Sequence, residues 1–327
     1  ENISDTELLQ EELTQQLLPF FSQNEKEGFH KLEEIISREK REQMKKALEK
    51  IHSDFQKTGA LTVPGMRKNI PGSNRPLPDF TEKFFIWKNQ REGRAVVALD
   101  PGLGKTVIGW SLAVLNPPAL ILVPADLLRD WLKNGEQYFE KLPKVIPIRT
   151  GKINDEIQKE IASAECVITT HQLLMVRSDQ KVEGSLSPLG KALSKRGFKT
   201  LVIDEAHEFR THSTKSSKAV LALMQAGKNI EVVSLLTATP HYRDPRDGAI
   251  LGHICLPDVF TSPEAYELLL QTRPEEIRLS FIKKRVFFGD VNLLGKLPPV
   301  DWIGFDNPLA VHPTPAHTAL YNLALET

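Results

Sequence analysis

The chain has 327 residues, 40% hydrophobic and 26% charged, which supplies a sizeable buried core and excludes a chain disordered throughout. Its 42 Lys and Arg balance 42 Asp and Glu, which excludes a uniformly basic surface, so nucleic acid could be gripped only by locally grouped cations. Only two cysteines are present, Cys166 and Cys255, too few for a disulfide framework and without metal-ligand spacing. No apolar run approaches the roughly 18–20 residues that cross a bilayer and no signal peptide is visible, so the expectation is an intracellular protein with no membrane partner.

Residues 1–57 carry Leu32, Ile35, Ile36, Ala47, Leu48, Ile51 and Phe55 at helical spacing among Glu and Lys, which predicts helices. Pro19 ends or kinks the first of them. The run Arg38-Glu39-Lys40-Arg41-Glu42 reads as a solvated helix face or, alternatively, as an arm touching DNA. Gly59, Pro64, Gly65, Pro71, Gly72, Pro76 and Pro78 mark residues 58–78 as a linker or irregular loop. Residues 1–78 are therefore expected to form a helical N-terminal extension and linker, with a possible role in docking a protein partner.

Residues 79–260 show a different rhythm. Ala95–Leu99, Ala119–Val123, Cys166–Thr169, Leu201–Ile203 and Val232–Leu236 are short, continuous apolar or β-rich runs separated by helical stretches. Strands covered on both faces of a parallel sheet read this way. The expected fold is α/β, a doubly wound and mostly parallel sheet. After about residue 260 the alternation fades into a segment expected to be helical over 262–283, broken at Lys296-Leu297-Pro298-Pro299 and helical again from Ala316.

Two strings carry the chemistry. Asp100-Pro101-Gly102-Leu103-Gly104-Lys105-Thr106 follows the first strand and precedes a helix. Glycines there let backbone N–H groups approach phosphate oxygens, and the helix N-terminus adds positive potential. Lys105 would reach the β- and γ-phosphates of ATP, and Thr106 would hold Mg²⁺ through its hydroxyl. The strict pattern asks for Gly where Leu99 stands, so the string alone is moderately specific, with an ordinary Gly-rich strand-to-helix turn as the alternative. The second string, Asp204-Glu205-Ala206-His207, ends the strand Leu201–Ile203. Functional carboxylates of open α/β sheets sit at such strand ends. Asp204 would hold Mg²⁺, Glu205 would orient or deprotonate the attacking water, and His207 could couple the nucleotide to neighbouring segments. An exposed helix cap is the bland alternative; the pairing with Lys105 and Thr106 argues against it.

These residues belong to a longer ordered set. The chain resembles the first RecA-like lobe of superfamily 2 helicases, and within them the Swi2/Snf2 double-stranded DNA translocases. Ala98–Thr106 is similar to motif I, Leu122–Trp131 to motif Ia, and Val167–Leu174 to motif Ib. Asp204–His207 is similar to the DEAH box, and Leu235–Pro240 to motif III. The continuation His241–Pro245 resembles the bacterial RapA-like branch. Thr81 stands where that family has an adenine-reading Gln, and Asp126 where it has a hydroxyl residue.

The resemblance implies a nucleotide site made of Gly102, Leu103, Gly104, Lys105, Thr106 and His207, with Lys105, Asp204 and Glu205 in the chemistry and Thr106 and Asp204 on Mg²⁺. It implies DNA contacts by Arg129, Thr169, Thr170, His171, Thr239 and Arg243. For Arg129 a solvated helix face, and for His171 a satisfied structural histidine, are the alternatives. The family's second RecA-like lobe supplies an arginine finger, worth about 10³–10⁵ in rate in related systems. Residues 1–327 alone are therefore expected to bind ATP and hydrolyse it slowly. The expected activity is ATP-driven translocation on duplex DNA; a strand-separating helicase, or a nucleotide-binding scaffold with little turnover, are the alternatives. The compartment would be cytoplasmic in a bacterium and nuclear in a eukaryote.

Overall fold

The computed structural model describes residues 60–175, 186–239 apart from 212 and 228, and 245–289 apart from 278–280 and 282–285, together with Ser53, Gln56 and Lys57. Those three isolated positions are helical; the other helices expected within 1–57, the break at Lys296–Pro299 and the helix from Ala316 lie outside the described residues.

Helix α1 (Phe80–Glu92) opens on a capping box. The Asp79 carboxylate accepts from the Glu82 N–H and the Glu82 carboxylate accepts from the Asp79 N–H, so two donors at the helix start are satisfied. Gly93, at φ 74°, turns the chain into β1 (Arg94–Leu99). There follow α2 (Lys105–Leu115), β2 (Ala119–Val123), α3 (Leu128–Tyr138), β3 (Val145–Pro147), α4 (Asp155–Ser163) and β4 (Cys166–Thr170). The one-turn α5 (His171–Leu174), α6 (Pro188–Lys195), β5 (Thr200–Ile203) and a 3-10 turn (Ala206–Phe209) come next. The chain continues through α7 (Lys215–Ala226), β6 (Val232–Thr237), a second 3-10 turn (Pro245–Gly248), α8 (Ala249–Cys255), α9 (Pro263–Thr272), α10 (Pro274–Ile277) and β7 (Val286–Gly289).

The seven strands form one sheet in the order β3-β4-β2-β5-β6-β1-β7, and every pairing is parallel. All strand C-terminal ends therefore emerge on one edge of the sheet. The chain leaves β1, skips past the places later filled by β6 and β5, and lays down β2. That jump opens the crevice in which open α/β sheets bind ligands.

Side chains alternate between two cores. Val97, Leu99, Ile121 and Val123 pack on one face with Phe84, Ile86, Ile108, Trp110 and Trp131. Val96, Leu120, Leu122 and Ile203 pack on the other with Leu189, Leu193, Phe209 and Leu223. Because both faces are dry, the strand sequences show no polar alternation. This is the expected doubly wound α/β architecture.

Two strands were not expected. β3 is three residues long and ends in Pro147, which suits only an edge. β7 pairs Val286 with Val96 and Phe287 with Val97, extending the sheet beyond β1. The lobe thus runs past the boundary placed at residue 260, to at least residue 289. The helix expected over 262–283 is divided at Arg273, because Pro274 cannot continue α9 and instead starts α10. Residues 60–78 are irregular, as their Gly and Pro content predicts, yet they are packed. Val63 and Leu77 are buried, and Met66 bridges to Phe139 at the end of α3.

Candidate nucleotide site and adjoining groove

The phosphate loop is shaped by two glycines in the left-handed region, Gly102 at φ 84° and Gly104 at φ 87°. At Gly104 a Cβ would also collide with the Glu82 carboxylate, which is fully buried behind the loop and ion-paired with Arg75. Sequence reading passed over Glu82; the Asp79-x-x-Glu82 capping box was its only signal. Leu103 points into the core, so it offers a ligand only its backbone. The Lys105 ammonium donates to the carbonyls of Leu99 at 2.6 Å and Asp100 at 3.2 Å. Burial lowers its pKa, and the charges of Glu205, Asp204 and Asp100 oppose that shift. Lys105 is thus within the electrostatic reach of the acidic pair. Thr106 is half-buried in the first turn of α2.

Asp204, at the end of β5, is buried and doubly hydrogen-bonded. Its Oδ2 accepts from the Trp131 indole at 2.7 Å and its Oδ1 from the Glu205 N–H at 3.0 Å. Burial raises its pKa; the indole bond pulls the other way. Trp131 reaches Asp204 from α3 because α2 and α3 approach through a reciprocal arrangement. Gly109 of α2 lies against the Trp131 ring, and Gly135 of α3 lies against the Trp110 ring. The Trp110 indole also donates to the Trp131 carbonyl at 3.0 Å. Trp131 was legible only as a motif marker; its bond to Asp204 is made across the fold.

Glu205 sits at φ 49°, a left-handed conformation that costs a non-glycine residue on the order of 1 kcal/mol. The surrounding contacts hold it there. His207 Nδ1 lies 3.0 Å from Glu205 Oε2 and 3.2 Å from the Thr237 hydroxyl. The hydrogen bond from His207 is the main reason the Glu205 carboxyl lies below the usual range, so the group is an anion at neutral pH. Thr237 in turn accepts from the Thr239 N–H at 3.0 Å, which joins the DEAH turn to the end of β6.

Beyond β5 on the same edge lies an open groove of about 660 Å³, bounded by Arg129, Arg149, Thr170, Gln172, Leu128 and Leu173. Arg129 is exposed at the start of α3 and Arg149 follows β3. Arg149 had no motif to mark it as a groove residue, whereas Gln172 lies within the stretch similar to motif Ib. Two proposed DNA contacts are corrected by their placement. Thr169 is fully buried and its hydroxyl donates to the Ile148 carbonyl at 2.9 Å. His171 turns inward too, with its ring on Phe209 and its Nδ1 3.2 Å from Glu208. Strand alternation explains the first: Thr170 ends at the groove, so Thr169 faces inward. Thr239 is half-buried and lies outside the groove lining. Arg243 lies outside the described residues.

The residues present fit a magnesium–nucleotide. The loop supplies two positive-φ glycines, a helix start and an ammonium close to two carboxylates. Magnesium keeps most of its water and needs only one or two protein oxygens beside the phosphates, which Thr106 and Asp204 can supply. Among the described residues no cluster of three or more His, Cys, Asp or Glu forms a protein-only metal cage.

Fold and site together have the architecture of a RecA-like P-loop lobe. The chain matches the SNF2-related domain over residues 39–284 and belongs to that family. It is 27% identical over 175 residues to the DNA annealing helicase and endonuclease ZRANB3 of Bos taurus, covering 52% of this chain and 15% of that protein. It is 28% identical over 203 residues to the uncharacterized ATP-dependent helicase YqhH of Bacillus subtilis, covering 59% of this chain and 32% of that protein. The Sulfolobus solfataricus SWI2/SNF2 ATPase core in complex with dsDNA superposes with a TM-score of 0.51 at 18% identity, covering 73% of this chain and 48% of that one. The chain therefore spans a third or less of these two sequence relatives.

Proposed function

We propose that this lobe is the ATP-binding half of a motor that moves along double-stranded DNA. The observation that carries the reading is the shared edge. The phosphate loop after β1, the acidic turn after β5 and the arginine-bearing groove beside β2 and β4 open on the same side of one parallel sheet. Membership of the SNF2-related family and the duplex bound by the similar archaeal ATPase core support it.

In this reading the N–H groups of the loop and Lys105 bind the phosphates, and Lys105 leaves the Leu99 and Asp100 carbonyls to do so. Thr106 and Asp204 would hold Mg²⁺, which when bound neutralises phosphate charge. Glu205, kept anionic by His207, orients a water and accepts its proton. A second RecA-like lobe of the same protein would bring the arginine finger. Arg129 and Arg149 would grip duplex phosphates without reading sequence.

The test is ATP hydrolysis by the full-length protein with and without duplex DNA, together with displacement of a third strand from a triplex. Stimulated hydrolysis with triplex displacement and no duplex unwinding is expected. Efficient separation of a duplex would favour a strand-separating helicase, a name some relatives carry. Hydrolysis indifferent to DNA would overturn the motor reading.

A further inference from the structure

One side-chain pair ties the groove to the acidic turn. His171 stands between Thr170 and Gln172, both of which line the groove. Its own ring goes the other way, is 2% exposed and packs on Phe209 with centroids 4.9 Å apart. Its Nδ1 is 3.2 Å from Glu208 Oε2. Glu208 and Phe209 close the 3-10 turn that Glu205 caps, and the Glu208 N–H donates to the Glu205 carbonyl at 2.9 Å. The turn is thus held from two strand ends: from β6 through His207 and Thr237, and from β4 through His171 and Glu208.

We propose that His171 and Glu208 are a positioning pair that transmits occupancy of the groove to Glu205. This rests on the groove being the duplex site. The ring's chemistry suits a strut. Its Nε2 is buried and has no hydrogen-bond partner among the described residues. An N–H at Nδ1 donates to the Glu208 carboxylate across 3.2 Å. That bond is the first cause holding the Glu208 carboxyl below its usual range. A flat ring wedged between Glu208 and Phe209 takes up little of a displacement. When a phosphate draws the Thr170–Gln172 backbone toward the groove, the last two residues of the turn follow. Glu205 responds because its left-handed backbone conformation is maintained by its surroundings rather than by its own preference.

The experiment uses the full-length protein carrying this lobe, with four chains: wild type, Glu208→Ala, His171→Leu and His171→Asn. ATP hydrolysis is measured with and without duplex DNA, and DNA affinity is measured separately. Glu208→Ala and His171→Leu are expected to cut the DNA-stimulated kcat by about 5–30-fold, the lower part of the range of ordinary site-to-site couplings. Basal rate, KM for ATP and Kd for DNA should stay near wild type. His171→Asn, whose amide N–H replaces Nδ1–H, should retain most of the stimulation. The Glu208 side chain is 41% exposed, so its truncation leaves the core intact even if His171→Leu does not fold. Unchanged stimulation in Glu208→Ala, or basal and stimulated rates falling together, overturns the pair's role. An Asn variant as impaired as the Leu variant does so too. A wild type that DNA fails to stimulate overturns the motor reading itself, and the pair's role with it.

Discussion

Replacing Trp131 with Phe tests how the Asp204 carboxylate is held. The substitution keeps an aromatic ring on α3 and removes the indole N–H that Asp204 Oδ2 accepts at 2.7 Å. A hydrogen bond to a charged, buried group is worth about 1.5–3 kcal/mol. The smaller ring leaves a space between α2 and α3 worth about 1 kcal/mol more. The sum, roughly 2.5–4 kcal/mol, corresponds to a fall in Tm of about 5–16 °C for a lobe of this size. The pH dependence has a definite sign. Burial raises the folded-state pKa of Asp204, so its charge opposes folding above the unfolded pKa, and that opposition is relieved as pH falls through the folded pKa. The indole lowers the folded pKa relative to the variant. The advantage of wild type over Trp131→Phe is therefore full where Asp204 is ionised in both, shrinks as pH falls through the variant's higher folded pKa, and is lost below the wild-type folded pKa. Thermal unfolding of both chains across pH, with titration of Mg²⁺-nucleotide binding at neutral pH, measures this. A variant as stable as wild type at neutral pH, or a stability gap that widens on acidification, would refute the reasoning.

Lys105→Ala should abolish detectable nucleotide binding or hydrolysis in the full-length protein; unchanged turnover by a coupled ATPase assay would contradict the phosphate-loop assignment. Gly104→Ala meets both a φ of 87° and the Glu82 carboxylate, so nucleotide affinity should fall at least tenfold, about 1.4 kcal/mol, in an equilibrium titration. Gly109→Ala gains helix propensity but places a Cβ 2.7 Å from the Trp131 ring and 3.0 Å from Val202. A net loss of about 1–2 kcal/mol is expected in chemical denaturation, and stabilisation would show that α2 and α3 have slack. Arg129→Ala and Arg149→Ala should each reduce the slope of log K for duplex DNA against log salt by about 1, uniformly across sequences; an unaltered slope would remove that side chain from the DNA path.

Much of the lobe is legible in the chain because both faces of its sheet are covered. Ala119–Val123 is a strand at the expected residues, and the runs at 95–99, 166–169, 201–203 and 232–236 each fall within an observed strand. A run of apolar residues bounded by turn signals is a local property, and so is a glycine-rich string before a helix. Strands β3 and β7 escape because they are short edge elements; β7 is recognisable only by its register on β1. The same limit applies to the groove. Thr169 and Thr170 are chemically equal in a list of residues, and strand alternation sends one to the Ile148 carbonyl and the other to the groove.

Amino-acid order alone thus determines the α/β alternation, the phosphate loop and the acidic pair, since each depends on neighbours a few residues apart. The company those residues keep does not. Trp131 comes to Asp204 across 73 positions, Glu208 to His171 across 37, and His207 to Thr237 across 30. Such partners are chosen by helix packing at Gly109 and Gly135 and by strand order, which place distant parts of the chain side by side.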